Sequence, residues 1–136
     1  MNGNNGRHCG GCLCGAIRFE IDGVFERFYL CHCEYCRKDT GSAFAANLFA
    51  SNARLMWICG QENISRFDLP DTRHCKWFCS ICGSALPHEN GDLLAVPAGC
   101  LDTEVPLKAD AHIFIASRAG WEDALEEIPM MAKFPA

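Results

Sequence analysis

The 136-residue chain has no run of about 18 apolar residues, so no segment can cross a bilayer as a helix. Its first residues, Met1-Asn2-Gly3-Asn4-Asn5-Gly6-Arg7, lack the apolar stretch of a secretory signal. Basic runs are missing too: 12 Lys and Arg face 17 Asp and Glu, a formal charge of −5. Binding to nucleic acid rests largely on neutralising phosphates, and an anionic membrane surface makes the same demand. Neither nucleic acid nor membrane is therefore an expected partner. There is no internal repeat and no interdomain linker. Hydrophobic residues at 49% and charged residues at 21% fit a folded globular domain and argue against disorder. The expectation is a cytoplasmic protein of one core.

Helix signals are also few. Residues 16–22 alternate, with Ile17, Phe19 and Ile21 on one face and Arg18 and Glu20 on the other, and Asp22-Gly23 marks a turn. Residues 25–30, 54–58, 64–69, 73–78, 93–96 and 112–116 are further strand candidates. Residues 42–49 fit either a helix, by their alanines, or a short buried strand. Only residues 34–40 and 121–127 read as a helical turn or two. Many short strands with Gly and Pro punctuation predict a mainly β fold. Residues 1–8 read as a flexible polar tail and residues 9–136 as a single domain.

Against these scarcities stands one excess, 11 cysteines. An odd count, no visible secretory signal and a chain long enough to build its own core favour metal over a disulfide framework. Seven cysteines fall in three clusters: Gly10-Gly11-Cys12-Leu13-Cys14-Gly15, Cys31-His32-Cys33-Glu34-Tyr35-Cys36 and Phe78-Cys79-Ser80-Ile81-Cys82-Gly83-Ser84. Paired thiolates on a knuckle can fill two corners of a zinc tetrahedron, and Gly11, Gly15 and Gly83 allow the backbone to turn tightly beside them. Joining Cys12 and Cys14 to Cys79 and Cys82 gives a closed, structural four-thiolate site whose binding energy is folding energy. The alternative is buried inert cysteines or a disulfide.

The middle cluster offers three thiolates, Cys31, Cys33 and Cys36, which leave one tetrahedral corner open. Zinc held by three thiolates carries a formal charge of about −1, which weakens it as a Lewis acid and suits a soft fourth ligand such as a substrate thiolate. Thiol or thioether chemistry follows more naturally than hydrolysis. Two alternatives stay open: His32 or a remote cysteine closes the site, or the cluster binds no metal and its thiols are redox-active. Arg37 and Lys38 follow directly. They can favour ionised sulfur or hold the carboxylates of an anionic substrate, or they are an ordinary solvated charge run.

The three clusters in this order resemble the glutathione-dependent formaldehyde-activating enzyme (GFA) family. The resemblance is carried by residues 11–15, by residues 31–42 (Cys-His-Cys-Glu-Tyr-Cys-Arg-Lys-Asp-Thr-Gly-Ser) and by residues 78–86. Residues 96–102 and 111–118 add to it, and it spans roughly residues 10–129. It implies an Mss4-like, β-rich fold stitched by zinc, with two zinc ions per chain. The structural ion would be held by Cys12, Cys14, Cys79 and Cys82, and the labile, catalytic one by Cys31, Cys33 and Cys36. The implied activity is a carbon–sulfur lyase reaction that forms or cleaves S-hydroxymethylglutathione. Glutathione or another small thiol is then the partner, and a homo-oligomer is admissible. Arg37 and Lys38 would hold the thiol's carboxylates, with Tyr35 and Ser42 hydrogen-bonding the developing alkoxide.

Four cysteines are left over. Cys59 and Cys100 read as packed apolar residues, Cys75 as structural and Cys9 as an exposed thiol near the tail. His8 belongs to the tail and His88 to the surface. His32, between two ligands in an extended segment, points its ring away from them. His112 reads as a core or supporting residue rather than a ligand. Glu122, Asp123, Glu126 and Glu127 read as a solvated acidic face. Two other functions compete with the lyase. One is a zinc-stabilised binding module, which needs only the four-cysteine site. The other is a methionine-sulfoxide-reductase-like redox enzyme, for which Cys100 is the one late cysteine.

Overall fold

A computed structural model of the protein describes residues 6–105 and 107–135. Among these residues the first half of the chain supplies strands β1 (Arg7–Gly11), β2 (Arg18–Asp22), β3 (Arg27–Cys31), β4 (Ala45–Ala50) and β5 (Arg54–Cys59), with one helix, α1 (Glu34–Thr40), between β3 and β4. The second half supplies β6 (Ile64–Asp68), β7 (Cys75–Cys79), β8 (Ala85–Leu86), β9 (His88–Asn90), β10 (Leu93–Pro97) and β11 (Ala111–Ile113). They form three sheets, ordered β1-β2-β5, β11-β3-β4-β10-β9 and β6-β7-β8. Neighbouring strands are antiparallel except β11, which runs parallel to β3. The fold is mainly β, as the alternating segments predict.

The alternation in β2 has the expected result: Phe19 and Ile21 are buried while Arg18 and Asp22 face solvent. They meet Phe25, Leu48, Ala50, Leu94 and Val96, so the main core lies between the first and second sheets. Burying each large apolar side chain of this kind stabilises the fold by roughly 1.5–3 kcal/mol, which fixes how the two sheets pack. Of residues 42–49, ambiguous in sequence, 45–49 lie in a strand because β4 lies between β3 and β10 and bonds to both, while 42–44 lie outside it. A second core, of Cys12, Ile17, Cys79 and Leu86, joins the first sheet to the third.

Several local expectations change. β1 begins at Arg7, and His8 is buried against Phe25 and within 3.0 Å of the Thr103 hydroxyl, so neither residue belongs to a tail. The strand expected over 112–116 stops at Ile113 because Phe114 takes a left-handed backbone, φ 56°. Residues 121–127 form 3-10 turns instead of a helix, since Ala124, also left-handed at φ 55°, interrupts them. Beyond β11 the chain is a strap of such turns, with Trp121, Ile128 and Met130 exposed and Ala119 buried.

Candidate metal centres

The four-cysteine group forms where two knuckles meet. After β1 the chain turns so that the Cys12 N–H donates to the Ile17 carbonyl (3.1 Å) and the Gly15 N–H to the Cys12 carbonyl (3.2 Å). After β7 the Gly83 N–H closes back on the Cys79 carbonyl (2.8 Å). Gly15 and Gly83 sit at φ 82° and 80°, a conformation that costs a side-chain-bearing residue about 1–2 kcal/mol. Each knuckle thus ends on a left-handed glycine, one turn closing over three residues and the other over four, and each presents two sulfurs.

The Sγ atoms of Cys12, Cys14, Cys79 and Cys82 all lie within 4.8 Å of one another. Cys12 and Cys14 are 3.5 Å apart, and Cys14 and Cys79 3.8 Å. Backbone N–H groups point at the sulfurs, from Ile17 to Cys12 (3.2 Å) and from Ile81 to Cys79 (3.4 Å). The Ser84 hydroxyl lies 3.2 Å from Cys82 Sγ and accepts the Leu13 N–H (2.8 Å), tying one knuckle to the other. The Ser84 hydroxyl and N–H lower the Cys82 thiol to about 5. Cys82 is thereby held toward thiolate, the form a metal requires, while at Cys14 the Ala16 N–H acts downward but burial and the neighbouring thiols leave the value raised to about 11.

The three-cysteine group stands on the junction of β3 and α1. Cys31 ends β3, Cys33 is the N-cap of α1, and Cys36 is buried in its first turn. Cys33 Sγ accepts the Cys36 N–H at 3.3 Å, the position usually held by a Ser or Asp oxygen. At the other end the Gly41 N–H closes on the Arg37 carbonyl (2.8 Å). The three sulfurs lie within 4.8 Å of one another. Burial raises the Cys36 thiol, and Cys31 and Cys33 beside it raise it further. Burial also acts to raise Cys33, but N–H groups of Cys36 and Tyr35 and the neighbouring thiols leave it lowered. Among the described residues no fourth ligand atom joins this group. His32 turns its ring elsewhere, toward Glu122 and His112.

Cys31 and Cys36 open on a cavity of about 370 Å³. Phe44 and Trp77 contribute apolar wall, and Arg73 and Lys76, set against Asp39, give the rest a positive excess, with His74 and His88 beside them. Asp39 organises that side. Its carboxylate accepts from Lys76 Nζ (3.1 Å) and lies 2.8 Å from His74 Nε2, and its carbonyl accepts from Lys76 Nζ (2.8 Å). His74 and Lys76 alternate with Cys75 along the chain and so share a face. Burial, with a smaller contribution from His74, lowers the His88 value, and Asp39 opposes the shift.

The other expected site residues are placed differently. Tyr35 and Lys38 line a shallower groove on the far side of Asp39 and His74. Arg37 and Ser42 line neither space, and Arg37 Nε is buried without a hydrogen-bond partner. Cys75 lines the cavity and His88 does too, away from the open surface expected of it. Cys59 is exposed, not packed. Cys100 packs against the main core, and burial pushes its thiol up to about 12. Asp39, Arg73, His74 and Lys76, which line this cavity, are given no binding role by the sequence. The i, i+2 spacing of His74 and Lys76 was the available signal, but their meeting with Asp39 needs the packing of β7 on α1.

A mainly β scaffold with a four-cysteine group at the seam of two sheets and a three-cysteine group at the junction of β3 and α1, both able to hold metal ions, defines the class of protein. Comparison with known proteins names the family. The model of the family described as "Glutathione-dependent formaldehyde-activating enzyme" matches residues 7–117. A Halomonas elongata protein named "Putative glutathione-dependent formaldehyde-activating enzyme" is 28% identical over 124 residues, covering 82% of this chain and 77% of that one. A crystal structure of a Rhodobacter sphaeroides protein superposes with a TM-score of 0.55 at 25% identity, covering 76% of this chain and 98% of that one. The chain belongs to the glutathione-dependent formaldehyde-activating enzyme family.

Proposed function

We propose that the protein is a zinc-dependent carbon–sulfur lyase that forms and cleaves the adduct of formaldehyde with glutathione, S-hydroxymethylglutathione. The observation that carries this reading is the three-cysteine group opening on a basic cavity. The donor sets fit two zinc ions per chain: four thiols with N–H groups aimed at their sulfurs, and three thiols with a free side. Cys12, Cys14, Cys79 and Cys82 would hold a structural ion, and Cys31, Cys33 and Cys36 a labile one. When bound there, zinc supplies a soft acidic corner that favours the thiolate form of a thiol.

The chain's own residues do the rest. Arg73 and Lys76 bind the carboxylates of the tripeptide thiol on the basic wall, and Arg offers a two-pronged contact. Tyr35 and Lys38, in the adjoining groove, extend the same surface. Phe44 and Trp77 exclude water from the hydroxymethyl carbon. In cleavage the hydroxyl proton passes to His74, whose Nε2 is held by Asp39, while the C–S bond breaks and its electron pair returns to sulfur. Addition runs the same path backwards. Thiols add to formaldehyde unaided, so the demand on these groups is modest.

Exchange between free formaldehyde and the glutathione adduct, followed by ¹³C NMR, tests the function. Zinc-loaded protein should accelerate the exchange and Cys33→Ser should abolish the acceleration. An exchange rate equal to that of the protein-free mixture would refute the lyase and favour a binding module.

A further inference from the structure

The residue between two of the three clustered cysteines is held from behind by groups 80 and 90 positions later in the chain. His32 is buried, with 1% of its surface exposed. Its Nε2 lies 2.8 Å from His112 Nδ1, so one nitrogen donates and the other accepts. Its Nδ1 lies 3.0 Å from Glu122 Oε1, an ion-pair contact off the line of an aligned hydrogen bond. The Glu122 side chain is itself only 6% exposed, far from the solvated position its acidic neighbourhood predicts. Removing a carboxylate from water costs several kcal/mol unless a partner compensates it, so this contact is an investment by the fold. Phe44 packs on both imidazoles, with ring centroids 5.1 Å from His32 and 6.4 Å from His112. The His32 N–H also donates to the Ile113 carbonyl at 2.9 Å.

The placement matters because His32 is the pivot of the ligand turn. Cys31 ends one strand and Cys33 caps the helix that carries Cys36. Side chains alternate along an extended segment, so the His32 ring leaves the backbone on the side opposite the two sulfurs. The bond at Nε2, the contact at Nδ1 and the backbone bond to Ile113 together restrict this ring and the peptide that carries it. From this we infer that Glu122 and His112 are positioning residues for the three-cysteine site. Reaching from β11 and the strap, they hold His32 and thereby keep the sulfurs of Cys31 and Cys33 converged with that of Cys36. This role rests on the proposed reading that those three cysteines bind a metal. It adds that Glu122 and His112 set the affinity of that site and not that of the four-cysteine site.

The two sites in one chain provide an internal control. Zinc release to a colorimetric chelator, with far-UV circular dichroism recorded in parallel, is compared among wild type, Glu122→Ala, Glu122→Gln and His112→Phe. Loss of groups that orient a ligand shell typically costs about 10–100-fold in metal affinity, so Glu122→Ala and His112→Phe should release one of the two ions at least about tenfold faster. The slow ion and the dichroism should not change. Glu122→Gln keeps an oxygen facing Nδ1 and should release that ion at a rate near wild type. His112 is exposed, so His112→Phe decides the matter if Glu122→Ala does not fold. Release of the fast ion at the wild-type rate in both variants, or equal loosening of both ions, would overturn the inference while leaving the lyase intact. A wild-type protein that binds only one zinc would overturn both.

Discussion

Replacing Cys79 by Ser should unfold the protein. Cys79 is completely buried at the seam where the first and third sheets meet, packed with Cys12, Ile17 and Leu86. Its sulfur is also one corner of the four-cysteine group. Structural zinc sites contribute roughly 10–16 kcal/mol of apparent binding energy in small domains. A whole domain is stable by only about 5–15 kcal/mol, so losing a large part of that binding exceeds what the fold can absorb. The serine hydroxyl adds a buried polar group on the order of 1–3 kcal/mol short of satisfaction. The assay is a thermal melt with metal content measured on the same sample, and strong chelation of the wild type should reproduce the effect. A Cys79→Ser protein that melts cooperatively at the wild-type midpoint would refute the structural role of the site.

Cys33→Ser should behave in the opposite way. A serine oxygen can still cap α1 by accepting the Cys36 N–H, so the melt should stay within a few degrees of wild type while one zinc per chain is lost; Cys33→Ala should lose about 1 kcal/mol more through the missing cap. Lys76→Met should raise KM for the glutathione adduct about three- to tenfold, because a charged hydrogen bond is worth about 1.5–3 kcal/mol before solvent screening and the competing pair with Asp39 are discounted; an unchanged KM would remove Lys76 from the binding wall. Acid should destabilise the fold through His88. Its folded value lies below the ordinary histidine value, so its contribution is complete above that value and is lost as pH falls toward the folded one. Melting temperature should therefore drop between neutral and mildly acidic pH, and a His88→Asn protein should show a shallower drop; equal slopes would contradict the assignment.

Cysteine spacing made both metal groups legible in the sequence, because each knuckle is a local object whose geometry depends on a few neighbouring residues. The strands were legible for a similar reason: burial on one face imposes a period of two, as at Phe19 and Ile21. Helical turns at the C-terminus misled, since the left-handed backbone at Phe114 and Ala124 leaves no mark when the residue is not glycine. The basic cavity wall and the Glu122–His32–His112 chain were out of reach for a different reason. Each joins residues from distant segments, and an acidic run such as residues 122–127 gives no local hint that its first carboxylate is buried. His32 was the exception: alternation alone put its ring on the side away from the sulfurs, and the structure supplies the partners it meets there.

The central claim is that the three-cysteine site is open and receives a substrate sulfur. Cobalt in place of zinc reports this directly, because each added thiolate contributes a sulfur-to-cobalt charge-transfer band in the near ultraviolet. Titration of the fully cobalt-loaded protein with glutathione should increase that band by one thiolate per chain, and the same titration of Cys33→Ser, which keeps only the four-cysteine ion, should leave it unchanged. A wild-type spectrum that glutathione and its formaldehyde adduct do not alter would contradict the account.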